Sequence, residues 1–213
     1  SAVRFANPLF EKLWNREAID NVQITFSEEL GVEDRGGYYE KAGALKDMVQ
    51  NHLLQVLALL AMEMPVAFKA KDIRQEKVKV LSGVKIYSPE EVAENFVFGQ
   101  YEKGQLGDET FVAYTEEDNV SETSETETYV AGKLAINNLR WAGVPFYIRT
   151  GKRLTQKGTR INVTFKKFPV DIFTENKAEN APNILTIYIQ PTEGISLQIN
   201  GKEIGDEYQT HPL

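Results

Sequence analysis

Hydrophobic and polar positions follow two different periods along the chain, and each period predicts a type of element. Val22, Ile24 and Phe26 alternate with polar residues, which is typical of a half-buried strand. Over residues 39–62, apolar side chains recur every three or four positions instead, which predicts one long helix that ends before Pro65. The first third of the chain is therefore predicted to contain a strand followed by its longest helix.

The rest of the pattern predicts more helix and then a run of strands. A second helix is predicted over residues 72–84 with Asp72 as its N-cap, and Pro89 begins a short helical turn. Six later segments have the composition of strands: 96–101, 128–136, 145–149, 160–168, 184–190 and 195–200. Because helices precede strands without strict alternation, we expect an α+β fold with a large, mostly antiparallel sheet and helices packed on one face.

Composition narrows the class of protein. The 213 residues are 42% hydrophobic and contain no cysteine and two histidines, which excludes disulfides, thiolate nucleophiles and a multi-histidine metal site. No apolar run approaches the roughly 20 residues of a membrane span. We also expect no signal peptide at the start of the chain. We expect one domain over residues 1–213, cut at both ends, from a cytoplasmic protein that binds no metal and no membrane.

Charge is concentrated in one part of the chain. The formal net charge is −7, and the stretch from Asp108 to Glu127 contains eight acidic residues and no basic one. This stretch is either an acidic interaction loop or a solvated surface excursion between strands. No cluster of lysine and arginine predicts nucleic-acid binding.

Polar residues are densest within the long predicted helix. In α-helical geometry Asp47 and Asn51 share a face, while His52 lies roughly 140° round from Asp47 and about 7.5 Å further along the axis. These side chains are expected to line two walls of one pocket. His52 is there either a general base or a structural histidine that its neighbours satisfy.

A second concentration of charge follows the strand predicted over residues 145–149. Thr150-Gly151-Lys152 places a cation just after a flexible residue, which indicates either an anion site or an ordinary basic turn. It is not a P-loop, because Phe146 stands where the first glycine of that motif is needed. The sequence contains no G-x-G-x-x-G, so we expect no Rossmann cofactor crevice within this chain.

Ten short segments, in order along nearly the whole chain, resemble the glucose-6-phosphate dehydrogenase family. They are RFANPLF at 4–10, LWN at 13–15, DRGGYY at 34–39, DMVQNHLLQ at 47–55, AMEMP at 61–65, RQEKVKVL at 74–81, GQY at 99–101, ETYVA at 127–131, RWAGVPFYIRTGK at 140–152 and IQP at 189–191. The resemblance implies most of the family's C-terminal α+β domain. The N-terminal Rossmann domain, which binds NADP, and the family's DHYLGKE peptide are absent from these residues.

The same resemblance assigns an activity and a set of site residues. It implies oxidation of glucose 6-phosphate to 6-phosphogluconolactone with NADP as hydride acceptor, and it implies a homo-oligomer formed through the sheet. It makes His52 the general base, and it makes five other residues substrate ligands: Glu28, Asp47, Lys152, Lys157 and Gln190. Carboxylates suit a sugar with many hydroxyls and lysines suit a phosphate, so the chemistry of these residue types agrees.

Two expectations limit what the resemblance implies. Some members hold a second, structural NADP through basic residues after the Thr-Gly-Lys segment, where this chain has Gly158 and Asn162, so we expect no such cofactor. Without the Rossmann part, we expect the isolated chain to be inactive. The alternative function is a non-catalytic sheet module that serves association only.

Overall fold

The computed structural model describes residues 2–170, 181–202 and 210–213. Its helical elements are α1 Ala2–Phe5, α2 Pro8–Leu13, a 3₁₀ turn Glu33–Arg35, α3 Gly36–Ala44, a π-helical segment Leu45–Leu53, α4 Leu54–Ala61, α5 Ala70–Ser82, α6 Pro89–Asn95 and a second 3₁₀ turn Tyr114–Glu116. Its strands are β1 Ile19–Ser27, β2 Phe96–Gly99, β3 Gly104–Leu106, β4 Glu109–Phe111, β5 Tyr129–Leu134, β6 Phe146–Gly151, β7 Gly158–Phe165, β8 Ile184–Gln190, β9 Gly194–Gln198, β10 Asn200–Lys202 and β11 Thr210–Pro212.

Seven strands form one mixed sheet in the order β2-β5-β6-β1-β7-β8-β9. All neighbouring pairs in it are antiparallel except β1 and β6, which run parallel from Val22 opposite Phe146 to Ser27 opposite Gly151. The hairpin of β3 with β4 and the pair of β10 with β11 are separate. The predicted α+β class with a mostly antiparallel sheet is confirmed.

The core lies between the inner face of this sheet and the helices. Ile24, Phe146, Ile148 and Val163 point inward from the central strands, and Leu57 of α4 is fully buried with them in the same cluster. Each side chain of this kind stabilises the fold by about 1.5–3 kcal/mol when fully buried. The helices thereby cover one face of the sheet at the level of β1 and β6.

The C-terminal end of α4 is held by side chains from three distant segments. Trp14 donates its indole N–H to the carbonyl of Leu60 at 2.9 Å, and Trp141 donates to the carbonyl of Ala61 at 2.8 Å. The buried guanidinium of Arg4 donates to the carbonyls of Leu60 and Met62. These carbonyls have no partner within the helix, so the three side chains satisfy acceptors that would otherwise be buried without hydrogen bonds.

The prediction of one uninterrupted helix over residues 39–62 is wrong. Gly43 has φ 61° and ψ 177°, which breaks the helical backbone, and residues 45–53 then form the π-helical segment before α4 begins. Periodicity missed the break because the apolar positions continue on both sides of the glycine.

The predicted N-cap of the second helix is also wrong. The helix α5 begins at Ala70, so Asp72 lies in its first turn. Pro89 does begin α6, as predicted.

The acidic stretch is more ordered than either sequence-based interpretation implied. It includes β4 and a 3₁₀ turn whose Tyr114 is fully buried, with its ring edge-on to those of Tyr39 and Tyr101. Its Glu117 accepts a hydrogen bond from the Tyr101 hydroxyl at 2.7 Å. This part of the chain therefore packs against α3 rather than only extending into solvent.

In the described part of the chain, we find no helix with both the length and the apolar character needed to cross a bilayer.

We expect Trp141→Phe to lower the free energy of unfolding by about 1–3 kcal/mol, because it leaves the buried Ala61 carbonyl without its donor. Urea denaturation followed by circular dichroism measures the change. Leu139→Ala is the control, since Leu139 is 92% exposed and its truncation should be neutral. Equal unfolding midpoints for Trp141→Phe and the parent chain would show that the hydrogen bond contributes nothing.

Candidate active site

The parallel pairing of β1 with β6 brings two charged residues together at one edge of the sheet. Glu28 follows the end of β1 and Lys152 follows the end of β6, and parallel strands end at the same edge. The Lys152 ammonium lies 2.6 Å from Oε2 of Glu28, and the Glu28 backbone N–H donates to the Gly151 carbonyl at 3.1 Å. The sheet itself thus creates this ion pair from residues 124 positions apart.

Lys152 is unusually enclosed for a lysine. Its side chain is 8% exposed, and its ammonium lies 5.1 Å from the centre of the Tyr39 ring, over the ring face. A buried ammonium requires an anion or hydrogen-bond acceptors to offset its lost hydration, and Glu28 provides one carboxylate. An ammonium has three N–H donors, so Lys152 can keep Glu28 and still bind a second anion.

Tyr39 forms the floor beneath Lys152. The residue is 1% exposed, and its hydroxyl has no hydrogen-bond partner among the residues that the structure describes. Burial, followed by the nearby carboxylates of Asp47, Glu28 and Glu127, raises the pKa of the Tyr39 phenol well above its ordinary value. Tyr39 is therefore a neutral, apolar support for the cation at any physiological pH.

Asp47 is a buried carboxylate on the π-helical segment. It is 8% exposed, and its Oδ1 accepts a hydrogen bond from the Tyr38 hydroxyl at 3.2 Å. The guanidinium of Arg35 lies 3.5 Å from the same oxygen. One carboxylate oxygen is thus engaged by neighbours, while Asp47 remains close enough to Tyr39 to influence its pKa.

His52 lies near the end of the same segment and is exposed. Its ring stacks on that of Phe26 in β1, with the ring centres 6.5 Å apart and the planes inclined by 23°. Because Phe26 precedes Glu28 by two residues, this contact places His52 over the sheet edge that carries the Glu28–Lys152 pair. The imidazole is oriented by an apolar neighbour and keeps access to solvent.

The π-helical geometry changes the relation of Asp47 to His52. In an α-helix they would lie on different sides, but π-helical bonds join residues five apart, as the Leu54 N–H to Val49 carbonyl bond shows. Each wider turn therefore brings residue 52 round toward the face that carries residue 47. The α-helical angle of roughly 140° between the two residues therefore does not apply here, where Asp47 is buried and His52 is exposed.

The remaining two predicted site residues lie at the rim of this edge. Lys157 directly precedes β7, and Gln190 ends β8 opposite Thr159; both are exposed. Neither forms a hydrogen bond with the other four predicted site residues within the described ranges. The structure thus pairs Glu28 with Lys152 directly and places His52 and Asp47 nearby. Lys157 and Gln190 lie at the rim and are exposed to solvent.

Sequence reasoning missed three residues that shape this site. Tyr38 and Tyr39 belong to the DRGGYY segment at 34–39, but nothing in their spacing separates a hydrogen-bond donor from a buried floor. Glu127 is one of the eight acids and the first residue of the ETYVA segment at 127–131, and neither observation assigns it a role in the site. Its carboxylate nevertheless accepts a hydrogen bond at the start of the π-helical segment. The glycine at position 43, inside a helical pattern, was the available signal of a special backbone there.

Comparison with known proteins adds the family. The sequence matches the family described as "Glucose-6-phosphate dehydrogenase, C-terminal domain" over residues 1–213. This chain belongs to the glucose-6-phosphate dehydrogenase family. The resemblance seen in the ten short segments is confirmed, and so is the assignment of the chain to the C-terminal domain of the family.

Relatives and solved structures agree with this. Glucose-6-phosphate 1-dehydrogenase of Bacillus subtilis is 54% identical over 211 residues, and that of Streptococcus pneumoniae is 53% identical over 211; each match covers 99% of this chain. A glucose-6-phosphate dehydrogenase in complex with glucose 6-phosphate superposes with a TM-score of 0.88 at 37% identity, and the Mycobacterium avium enzyme with 0.85 at 40%, both over 100% of this chain.

The match covers less than half of each of these proteins. This chain spans 43% of the Bacillus subtilis enzyme, 42% of the Streptococcus pneumoniae enzyme, and 42% and 44% of the two solved chains.

Within the described residues there is no group of three His, Asp or Glu that would hold a metal ion. The sequence also lacks the glycine fingerprint G-x-G-x-x-G of a dinucleotide-binding site. The residues present therefore do not form a Rossmann-type binding site for the NADP that the family uses.

We expect Tyr39→Phe to leave the free energy of unfolding at pH 7 unchanged or to raise it by up to about 1 kcal/mol, because it removes a buried hydroxyl without a partner. Above about pH 10 the unfolded chain loses the Tyr39 proton while the folded chain keeps it, so stability falls as pH rises. The substitution should make this alkaline decline shallower, as measured by urea denaturation at pH 7 and pH 10.5.

Tyr188→Phe is the matched control, since Tyr188 is an exposed tyrosine on β8. The same alkaline slope for Tyr39→Phe and the parent chain would contradict the raised pKa.

Proposed function

We propose that this chain is the C-terminal domain of a longer, cytoplasmic glucose-6-phosphate dehydrogenase. That enzyme would oxidise D-glucose 6-phosphate at C1 to 6-phospho-D-glucono-1,5-lactone, the first step of the oxidative pentose phosphate pathway, with NADP as hydride acceptor. The observation that carries the proposal is the gathering of a buried lysine, two carboxylates and a histidine at one sheet edge. A module that served association only would give no reason to bury Lys152 and Asp47 there.

Substrate binding follows from the charges at this edge. Lys152 donates hydrogen bonds to the phosphate of the sugar, and Lys157 adds a second cation from the rim. Glu28 and Asp47 accept hydrogen bonds from sugar hydroxyls through the carboxylate oxygens that their protein neighbours leave open. Gln190 adds an amide at the far side of the same edge.

His52 supplies the acid–base chemistry. A neutral ring nitrogen of His52 accepts the proton of the C1 hydroxyl as the C1–O bond acquires double-bond character. Stacking on Phe26 fixes the plane of the imidazole, which aligns the accepting nitrogen. NADP would supply the hydride acceptor for C1. We assign its site to a part of the enzyme outside these 213 residues, and we expect the isolated chain to be inactive for that reason.

The test uses the full-length protein that carries this chain. We expect His52→Asn to lower kcat by about 10²–10⁴-fold with a small change in KM, since a general base acts in the transition state. NADPH formation followed by absorbance at 340 nm measures both constants. The isolated 213-residue chain is the blank, and NADPH formation by it would contradict the assignment of the cofactor site.

Lys152→Ala provides the contrasting pattern. It should raise KM for glucose 6-phosphate strongly and affect unphosphorylated glucose much less, because the lost interaction is with the phosphate. If His52→Asn kept a kcat near the parent value at every pH, His52 would be a structural histidine. If Lys152→Ala weakened both sugars equally, Lys152 would not bind the phosphate.

Association through the sheet is the second part of the proposal. The outer face of the sheet at β1, β6 and β7 carries an open groove of about 530 Å³. Tyr147, Arg149 and Arg160 line it, and so do Glu94 and Asn95 at the end of α6. Within the described residues, this face mixes polar and aromatic side chains. A second copy of the chain, bound through this face, would cover the exposed Val97 and Tyr147.

We expect Tyr147→Glu to shift the sedimentation coefficient of the purified chain at micromolar concentration from a dimer or larger species to a monomer. A charge at the centre of the face would be buried without a partner in the assembly. Leu139→Glu, at an exposed position away from this face, should leave the association state unchanged. A parent chain that sediments only as a monomer would contradict association through the sheet.

A further inference from the structure

Glu127 accepts hydrogen bonds from two backbone N–H groups at the start of the π-helical segment. Its side-chain Oε1 accepts the Leu45 N–H at 2.9 Å, and its own carbonyl accepts the Ala44 N–H at 2.9 Å. The first N–H groups of a helix have no acceptor within the helix, and a carboxylate is the favoured group at that end. Glu127 therefore fixes the residue at which the segment starts.

Gly43 makes this contact possible. A Cβ at position 43 would lie 2.4 Å from Oε1 of Glu127, so the carboxylate occupies the space that any other residue would fill. The backbone at Gly43, with φ 61° and ψ 177°, is also one that only glycine adopts without strain. The helix is broken just where the Glu127 carboxylate enters.

The next residue, Thr128, connects the segment just before β5 to the other half of the site. The Thr128 carbonyl accepts the Lys152 N–H at 3.0 Å, and the fully buried Thr128 hydroxyl accepts the Tyr101 N–H at 2.9 Å. Glu127 and Thr128 thus hold the start of the segment that carries Asp47 and His52, and also the backbone of Lys152. Two consecutive residues set the distance between the two halves of the site.

We propose that Glu127 is a positioning residue that sets the start of the π-helical segment and thereby aims Asp47 and His52 at the substrate bound by Lys152. This inference rests on the proposed function, because it assigns Glu127 a role in the same reaction. The physical reason is register. If the segment began one residue earlier or later, every side chain on it would rotate by a large fraction of a turn, and misplacement of a base by about 1 Å costs up to about 10²-fold in rate.

Three substitutions in the full-length protein separate the features of this side chain. Glu127→Ala removes the acceptor, Glu127→Asp moves it away from the Leu45 N–H, and Glu127→Gln keeps an oxygen in place without the charge. We expect kcat/KM for glucose 6-phosphate to fall about tenfold or more for Ala and Asp and to be largely retained for Gln. Glu125→Ala, at an exposed acid two residues earlier, is the matched control and should behave as the parent protein.

A double-mutant cycle distinguishes positioning from stability. In a His52→Asn background, Glu127→Asp should lower kcat/KM by a clearly smaller factor than in the parent protein, because the base is gone and only Asp47 remains to be positioned. Equal losses in both backgrounds would overturn the proposal, and so would loss of activity in Glu127→Gln. If Glu127→Ala does not fold, kcat/KM of the Asp and Gln variants still tests the proposal.

The outcomes for the two proposals are separate. An unaffected His52→Asn variant would overturn the role of the base and with it the proposed function. A strongly impaired His52→Asn variant beside an unaffected Glu127→Asp variant would overturn only the role of Glu127.

Discussion

The parallel pairing of β1 with β6 is the constraint on which the candidate site depends. Every other neighbouring pair in the described seven-stranded sheet is antiparallel, and antiparallel strands end at opposite edges. This one exception carries the chain out of β1 and out of β6 at the same edge, with Ser27 opposite Gly151. Glu28 and Lys152 are the next residues on each strand, so their ion pair follows from topology before any side chain is considered.

Burial then gives this edge its chemical character. Lys152 and Asp47 are charged residues with little exposure. Lys152 pairs with Glu28, and one oxygen of Asp47 is contacted by Tyr38 and Arg35. Such groups retain hydrogen-bonding capacity that the fold does not use. A polar ligand with an anionic group and several hydroxyls matches what remains, which is why the geometry and the family membership lead to the same class of substrate.

Sequence predicted the fold class and most strands because alternation and helical spacing report burial directly, as at Val22, Ile24 and Phe26. It did not predict the break at Gly43 or the π-helical segment, because the contacts at both involve Glu127, a residue more than eighty positions away in the sequence. The same limit explains Tyr39. Its role as a floor depends on Lys152, which follows β6 and lies over the Tyr39 ring, and which is distant from Tyr39 in the sequence.

The capping of α4 by Arg4, Trp14 and Trp141 has a consequence for how the domain opens. These donors lie between 46 and 80 residues from the carbonyls they bind, so the end of α4 is held by non-local contacts. Helix ends ordinarily fray with little free-energy cost. Here fraying would break contacts with three separate segments at once. Opening of α4 is thereby coupled to global unfolding, and the π-helical segment that precedes it is anchored at its C-terminal side by the whole domain.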